Sequence, residues 1–315
     1  MKNTFGTNLS VTLFGESHGA SIGAVIDGLA PGIKIDTEYI AHRLSRRRPA
    51  GDISTKRRES DMFVFESGVY NGYTTGTALC VRIPNEDTRS SDYSETRFLA
   101  RPSHADYTAF SKYHGYEDPR GGGHFSGRIT APLVVAGAIA QKALEQNGIF
   151  IGTHIKRIEN VLDRDFSDNI EDEVKALSER FFAVLDSDVQ EKMESAILAA
   201  SHDLDSVGGV LETAVTGLEG GLGEPWFDTV EGLLAHALFS IPAVKGVEFG
   251  RGFDIAKMRG SEANDPFCMK DGRVQTVSNN SGGINGGITN SMPIIFRTAI
   301  RPTPTISREQ KTVDM

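Results

Sequence analysis

The sequence has no uninterrupted apolar run of the roughly 18 residues that a membrane-spanning helix needs, so we expect no membrane partner. Its N-terminus turns polar early and lacks the apolar stretch of a secretory signal peptide. Only two cysteines occur in 315 residues, which is too few for a disulfide framework and favours a cytoplasmic location. The CxxC and HExxH spacings are both missing, so we predict no metal site.

The sequence also lacks a surplus of positive charge, because 33 lysines and arginines are outnumbered by 42 acids and the formal net charge is -9. Nucleic-acid-binding proteins usually carry a positive surplus, so we predict no nucleic-acid partner. The cations that are present concentrate between Arg43 and Arg58, where Asp52 is the only acid. Such a segment either attracts a small polyanion carrying phosphate or carboxylate groups, or it forms a solvated basic loop.

The hydrophobic pattern predicts both strands and helices. Strands are predicted at 9–14, 22–28, 207–217, 243–250, 274–277 and 293–300, with a hairpin over 62–83. Helices are predicted from Asp36 or Thr37 onward and at 131–147, 170–186, 188–201 and 227–239. No disordered linker separates these elements, so we predict one α+β domain over residues 1–315. Residues 84–130 are polar and irregular, and a stretch of this length is more often functional than passive.

The first candidate motif is Gly15-Glu16-Ser17-His18-Gly19, which lies between two predicted strands. Glycine allows the backbone to turn sharply, so we expect Ser17 and His18 to lie on an open face of the turn. A histidine at a strand end is able to act as a general acid near neutral pH. The alternative is a capped turn in which the histidine is structural.

The second candidate motif is RPSHADY, which begins at Arg101. Its His104 and Asp106 are close enough in sequence to share a hydrogen-bond network, and Arg101 adds a contact for an anion. In the alternative interpretation a helix begins after Pro102, and Ser103 and Asp106 are its capping groups.

The third candidate motif is the glycine-rich run RGGGHFSGRIT at 120–130, directly before the predicted helix 131–147. Backbone N–H groups, hydroxyls, arginines and the helix dipole would converge there, which favours a phosphate or anion site. The run contains neither the GK[ST] of a P-loop nor the dinucleotide fingerprint. A flexible hinge is the alternative.

The fourth candidate motif is SNNSGGINGGITN at 278–290, followed by a strand and by RPTPT at 301–305. Two Gly-Gly pairs let the backbone approach a flat ligand, and asparagine side chains supply donors and acceptors. The rigid Pro-Thr-Pro segment would hold backbone groups against a ring system. Tight turns alone explain the pattern equally well.

In their joint order, these motifs resemble the chorismate synthase family. The resemblance runs from residue 3 to residue 314, and the matching stretches are NTFGTNLSVTLFGESHG, VIDGLAPG, RRRP, RRESD, SGVYNG-TTG, RPSHADYT, RGGGHFSGRIT, VKGVEFG, NNSGGINGGI and RPTPTIS-EQ-TVD. It implies an α+β fold in which two antiparallel sheets sandwich helices, and it implies a homotetramer.

Members of this family remove phosphate and a ring proton from 5-enolpyruvylshikimate-3-phosphate by an anti-1,4-elimination that gives chorismate. The reaction requires reduced FMN, although it causes no net redox change. The resemblance therefore implies a lyase of the shikimate pathway and of aromatic amino acid biosynthesis. It also implies a small-molecule substrate and an external source of reduced flavin, for which NADPH is a candidate.

The family's functional residues can be placed motif by motif. His18 would protonate the departing phosphate, and His104 would supply a proton beside the flavin. The residues that would bind the substrate are Ser17, Arg48, Arg101 and Arg128. Arginine suits that task because its planar fork meets carboxylates and phosphates with two hydrogen bonds.

The resemblance also implies residues that contact the cofactors. For FMN these are His124, Phe125, Ser126, Pro242, Ala243, Gly286, Arg301, Pro302, Thr303, Pro304 and Thr305. Arg47 matches a position that the family associates with a reduced nicotinamide nucleotide. Three departures bear on these assignments. His124 replaces an arginine, Pro242 replaces an asparagine, and Ile53 stands where many members have a further arginine.

The sequence stops at Met315, whereas family members continue through a GRHDP-type motif. That motif carries an aspartate proposed to accept the ring proton. We therefore expect a chain that ends at Met315 to bind FMN and substrate but to turn over poorly.

Two other classes of function remain open. A flavin reductase or an FMN-binding module would share the flavin motifs but would not form chorismate from chemically reduced FMN. A structural or nucleic-acid-binding protein would use the basic segment 43–58, but no interleaved aromatic residues occur there and the rest of the chain is acidic. Tight DNA binding at physiological salt would favour that class.

Overall fold

The computed structural model describes residues 2–48, 60–86, 98–270 and 272–315. Lys56, Arg57, Arg58 and the departure at Ile53 lie outside the described residues. Within the described ranges the protein is α+β with antiparallel sheets, as the resemblance implied. None of the helices there has both the length and the apolarity that a membrane crossing requires.

The regular elements follow in chain order. The helices are α1 (Thr37–Arg46), α2 (Asp106–Tyr113), α3 (Thr130–Glu145), α4 (Ile170–Leu177), α5 (Gln190–His202), α6 (Val230–Phe239) and α7 (Gly260–Ala263). The strands of the first half are β1 (Thr4–Gly6), β2 (Ser10–Gly15), β3 (Ser21–Asp27), β4 (Val64–Ser67), β5 (Val69–Tyr70), β6 (Tyr73–Thr74) and β7 (Leu79–Pro84). Those of the second half are β8 (Phe150–Ile158), β9 (Val161–Leu162), β10 (Gly209–Thr216), β11 (Val244–Phe249), β12 (Phe267–Lys270), β13 (Arg273–Thr276), β14 (Ile284–Asn285), β15 (Ile288–Thr289) and β16 (Ile294–Ile300).

The chain divides into two compact units. The first unit comprises Met1–Ala143 and Arg308–Met315, and the second comprises Leu144–Ser307. Each unit contains one five-stranded antiparallel sheet. That all of residues 1–315 act as a single domain stays a prediction.

The sheet of the first unit has the order β1-β2-β3-β7-β4. Side chains alternate between its faces, so every second residue of the central strands points to one side. The buried set is Ile22, Ala24, Ile26, Leu79, Val81 and Ile83. Because β2 ends at Gly15 and β3 begins at Ser21, the GESHG motif forms the turn between two paired strands, as predicted.

Helix α1 packs its apolar side on the core of the first unit through Ile40 and Leu44. Asp36 caps its start and accepts a hydrogen bond from the Tyr39 backbone N–H at 2.9 Å, which confirms the predicted cap. The helix ends at Arg46, so the next residues of the arginine run lie at its C-terminal end, where cations are favoured by the helix dipole.

Helix α3 belongs to the same core through Ala131, Val135, Ala138 and Ile139, each at most 3% exposed. The expectation of a buried helix after the glycine-rich run is confirmed. It ends at Glu145, and Gly148 follows with a φ of +76°.

The sheet of the second unit has the order β11-β16-β10-β8-β9. Ile284, Ile294 and Phe296 form its apolar cluster, against which part of α6 packs. In both sheets the strand that comes last in the chain is inserted between two earlier ones, β7 between β3 and β4 and β16 between β10 and β11. This shared arrangement favours an internal repeat.

The structure differs from the sequence-based expectation in several short elements that were not predicted and in three larger features. Strand β8 was not predicted, because His154 and Lys156 occupy buried positions where an apolar residue is expected. The helix predicted over 170–186 ends at Leu177, and the following segment instead donates backbone hydrogen bonds from Leu185 and Asp186 to Asp163. The region 84–130 contains helix α2.

Candidate active site

The GESHG turn is a tightly held element of the first unit. Ser17 is fully buried and His18 is 8% exposed, so the expectation that both lie on an open face is wrong. The Ser17 backbone N–H donates to the Gly123 carbonyl at 3.1 Å. The side-chain amide of Asn85 donates to the carbonyls of Glu16 at 2.9 Å and Gly19 at 2.8 Å. Three loops of the first unit therefore meet at this turn.

The Ser17 hydroxyl oxygen is buried and has no hydrogen-bond partner within the described ranges. Buried polar atoms are normally hydrogen-bonded, and an unsatisfied one in a native site calls for a partner. A hydroxyl both donates and accepts, so it suits a phosphate or carboxylate oxygen. This atom makes the turn a candidate binding position.

The three glycines before His124 let the backbone lie directly on the His18 ring. Gly121, Gly122 and Gly123 have φ values of +59°, +82° and +52°, the left-handed region that favours glycine. A Cβ at Gly121 would lie 2.1 Å from His18 Cε1 and 3.1 Å from Ser17 Oγ. The glycine run packs against the candidate acid, which supports a site rather than a hinge.

Three of the predicted site arginines converge on one carboxylate. Asp61 is 3% exposed, and its side chain contacts Arg47 at 2.9 Å and Arg48 at 3.8 Å. Arg128 forms a direct ion pair with the same carboxylate and is itself 4% exposed. The Arg128 guanidinium also donates to the Asn85 side chain at 3.1 Å.

The RPSHAD segment is organised by Arg101. Its guanidinium forms two hydrogen bonds to Asp106, at 2.9 and 2.8 Å, and its backbone N–H donates to the same carboxylate. Burial raises the pKa of Asp106, but the bonds and charge of Arg101 and the charge of His104 outweigh it, so the pKa lies below its usual value. Helix α2 begins at Asp106 with Ala105 as N-cap, so the helix start predicted after Pro102 is confirmed, while the capping roles of Ser103 and Asp106 stay predictions.

The predicted flavin contacts in the first unit form an aromatic group. The His124 ring lies 4.2 Å from that of Phe125, centroid to centroid, and meets Tyr113 edge-on at 5.3 Å. Phe125 is 41% exposed, so part of this group is accessible. The Ser126 hydroxyl accepts from the Arg128 backbone N–H at 3.3 Å and begins a short helical turn.

In the second unit, two of the predicted flavin stretches lie side by side. The Arg301 backbone N–H donates to the Ala243 carbonyl at 3.0 Å, and β11 pairs with β16 next to this bond. Ala243 has a φ of +73°, an unusual value for a residue with a Cβ. The Thr303 carbonyl accepts from the Ser206 hydroxyl at 2.7 Å, so one side of RPTPT is held.

Gly286 lies in the turn of the β14–β15 hairpin, with a φ of +62°. Within the described part of the chain, no atom lies within 4 Å of the position that its Cβ would take. The start of this glycine-rich loop is anchored by Asp265, which accepts from the backbone N–H groups of Asn280 and Ser281 at 2.8 Å each. The open backbone at Gly286 suits close approach by a flat group.

Comparison with known proteins decides the family. The family model described as Chorismate synthase matches residues 9–315. The chain belongs to the chorismate synthase family. It is 50% identical to the chorismate synthase of Thermococcus gammatolerans over 98% of this chain and 86% of that protein. It is 48% identical to the chorismate synthase of Pyrococcus abyssi with the same coverage.

A solved structure agrees with the sequence relatives. A chain described as the crystal structure of chorismate synthase superposes with a TM-score of 0.76 at 30% identity, covering 94% of this chain and 84% of that one. Membership of the chorismate synthase family makes this protein a lyase, and it confirms the resemblance and the α+β fold class. The individual roles of the site residues stay predictions.

Three residues that hold these candidate site segments by hydrogen bonds or ion pairs were not predicted from the sequence. Asp61 ends the matching stretch RRESD but was assigned no function, and Asn85 and Asp265 fell outside every stretch. Asp61 has a φ of +51°, which sequence alone does not reveal. The available signal for Asp265 was its place directly before a proline, where turns begin.

Proposed function

We propose that this protein removes phosphate from 5-enolpyruvylshikimate-3-phosphate by anti-1,4-elimination, forming chorismate, and that it requires reduced FMN. The observation that carries the proposal is the buried Ser17–His18 turn, which Asn85 links to the arginines around Asp61. The substrate bears two carboxylates and one phosphate, so it needs several cations together with a proton donor. Family membership supports the same reaction.

His18 would act as the general acid for the departing phosphate. Burial in a turn held by three loops fixes its ring, and Gly121 leaves no space for the ring to move toward the glycine run. The hydrogen bond from Arg120 lowers the pKa of Asp118 against the effect of burial, and the charge of His18 acts in the same direction. The Asp118 carboxylate thus keeps its negative charge near the His18 ring.

Ser17 and the arginines would bind and orient the substrate. Arg48 has 42% of its side chain exposed and Arg101 has 45%, so both are accessible to an anion. Arg128 is buried, and its guanidinium would meet the substrate while Asp61 holds it from the other side. Planar guanidinium groups fixed in advance bind phosphate and carboxylate with defined geometry.

The predicted flavin residues of each unit suit a flat group on their own. In the first unit, His124 and Phe125 present an aromatic surface. In the second unit, the backbone at Gly286 is open to close approach. When bound, reduced FMN would supply negative charge as the C–O bond breaks. His104 would hold a proton on its imidazole beside the flavin. The other residues proposed to contact FMN are Ser126, Pro242, Ala243 and residues 301–305.

Further features of the family are proposed on the same basis. Arg47 would contact a reduced nicotinamide nucleotide, so NADPH is proposed as the source of reducing power through an external reductant. The protein would act as a homotetramer in the cytoplasm. Analytical ultracentrifugation tests the assembly independently of activity.

The decisive experiment is an anaerobic assay of chorismate formation with chemically reduced FMN. Turnover is expected only when both substrate and reduced flavin are present, because oxidised flavin cannot donate negative charge to the breaking C–O bond. Full turnover with oxidised FMN, or without flavin, would contradict the proposal. Tight FMN binding without any chorismate would instead identify a flavin-binding module or a reductase.

A further inference from the structure

Asp61 is a buried acid to which no role has been assigned. Its side chain is fully inaccessible, yet it lies among the guanidinium groups of Arg47, Arg48 and Arg128. These arginines come from two places in the chain, the end of α1 and the start of α3. An ionised carboxylate is costly to bury unless it is paired, so the pairs explain why Asp61 is retained inside the unit.

Asn85 is the second such residue, and it connects two parts of the site. Its carbonyl oxygen accepts from Arg128 Nε at 3.1 Å. Its amide nitrogen donates to both ends of the turn that carries Ser17 and His18. One side chain thus ties the buried arginine to the candidate acid.

We propose that Asp61 and Asn85 are positioning residues, which hold Arg128 and the Ser17–His18 turn in one fixed arrangement before the substrate arrives. This inference rests on the proposed function, because it assumes that Arg128 and His18 meet the substrate. Arginine side chains have many rotamers, and ordering them during binding lowers affinity. Asp61 fixes the arginines in the free protein, and Asn85 transmits their position to the acid.

The two residues should have different kinetic signatures. Asp61→Asn keeps the shape of the side chain but removes its charge, so the arginines lose their common anchor. We expect KM for the substrate to rise about tenfold or more, while kcat falls less. Asn85→Ala releases the turn from Arg128, so we expect kcat to fall about tenfold as His18 loses its alignment.

The matched control is Glu66→Gln. Glu66 forms an exposed ion pair with Arg82 at 2.6 Å in the same unit, so this variant also removes a carboxylate–arginine pair. Its KM and kcat should stay within about twofold of the parent protein, because exposed pairs contribute little. In the double variant of Asp61 and Asn85, losses smaller than the product of the single losses would show that the two residues act through Arg128 together.

Asp61→Glu is a second variant that tests the same role if Asp61→Asn does not fold. It keeps the charge but displaces the carboxylate by one methylene, so KM should rise while the melting temperature stays close to the parent value. A fully folded Asp61→Glu or Asp61→Asn protein with unchanged KM would overturn the proposal for Asp61. An unchanged kcat in folded Asn85→Ala would overturn it for Asn85.

The assay also separates this inference from the proposed function. If the parent protein forms no chorismate, the proposed function fails, and the positioning role is then tested with inorganic phosphate by calorimetric titration. Weaker phosphate binding by Asp61→Asn than by Glu66→Gln would support anion positioning without the proposed reaction. Equal phosphate binding by the parent and both variants would overturn the inference.

Discussion

The two units each contain a buried ionic cluster, and the two clusters differ in the group at their centre. In the first unit, Asp61 lies among Arg47, Arg48 and Arg128; we refer to these four residues as the Asp61 cluster. In the second unit, the His154 ring lies between two acids. Its Nδ1 is 2.8 Å from Asp163 and its Nε2 is 3.0 Å from Glu212.

The second group, which includes Lys156 and is referred to as the His154 cluster, is buried at its centre, although its ion-pair partners Arg297 and Asp165 have 21% and 74% of their side chains exposed. The side chains of His154, Asp163 and Glu212 are at most 4% exposed, and that of Lys156 is 8% exposed. Asp163 also accepts backbone hydrogen bonds from two segments of the second unit. Both ring nitrogens of His154 thus lie within hydrogen-bond distance of a buried carboxylate, so the polar atoms of the ring are satisfied. These contacts hold the second unit together.

The Asp61 cluster differs because its exposed members, Arg47 and Arg48, are both cations, whereas the exposed partners of the His154 cluster are one arginine and one aspartate. Arg47 has 22% and Arg48 has 42% of its side chain exposed, although their common partner Asp61 is inaccessible. A buried acid that holds partly exposed cations is arranged to present positive charge to an anion. The comparison teaches that a buried ionic cluster is a candidate anion site when its accessible members all carry positive charge.

The largest effect is expected at His18, where substitution should lower turnover much more than stability. His18→Ala should lower kcat by on the order of 10²–10⁴, because it removes the proposed proton donor, and His104→Ala should act in the same range. Substrate and FMN binding should survive better than turnover. The control is His42→Ala on the exposed side of α1, which should leave kcat unchanged. Near-normal rates combined with a lower melting temperature would show that His18 is structural.

The reverse pattern is expected at His154. His154→Gln removes the ring that bonds to both Asp163 and Glu212 and leaves buried carboxylate oxygens with fewer hydrogen bonds, so the free energy of unfolding should fall by about 1–3 kcal/mol. Urea titration measures this loss. The kcat of the folded fraction should stay close to the parent value. A large loss of kcat without a loss of stability would contradict the view of this cluster as purely structural.

Asp265 extends the comparison to the glycine-rich loop. Burial raises the pKa of Asp265, but hydrogen bonds from Ser278, Asn280 and Ser281 outweigh burial, so the pKa is lowered in the folded protein. A lowered pKa contributes stability above the ordinary carboxyl value of about 3.9, and this contribution is lost as the pH falls through the folded value.

Asp265→Asn should therefore cost about 1–3 kcal/mol of unfolding free energy at neutral pH, where the parent carboxylate is charged. The difference between the two proteins should shrink in acid below pH 4 or so. Asp168→Asn, at an exposed position, is the control and should change little. A gap that is constant from neutral to acidic pH would show that the charge of Asp265 has no role.

The smallest effect is expected at His124, which belongs to the accessible aromatic group. If its imidazole contacts an anion of FMN, His124→Arg should bind FMN several-fold more tightly, because arginine is a permanent cation with a planar fork of donors. Fluorescence titration measures the two affinities. Equal affinity of the parent protein and His124→Arg would show that His124 acts only through its ring contacts.

Much of the first unit could be predicted from local patterns. The Asp36 cap, the alternation of Ile22, Ala24 and Ile26 and the apolar helix α3 depend on neighbours within a few residues. The order of the motifs along the chain was sufficient to indicate the chorismate synthase family. The motif residues that touch each other, such as Arg301 and Ala243, were named without any knowledge of that contact.

Only the tertiary structure revealed how charge is paired inside the units. Strand β8 was not predicted because His154 and Lys156 are polar. Glu212, one of the two acids that bond to the His154 ring, lies 58 residues away in the sequence. Asp61 was passed over because its closest ion pair joins it to Arg128, 67 residues further on. Periodicity reports which face of an element avoids water, whereas the pairing of buried charges depends on contacts between distant segments, which form only when the chain has folded.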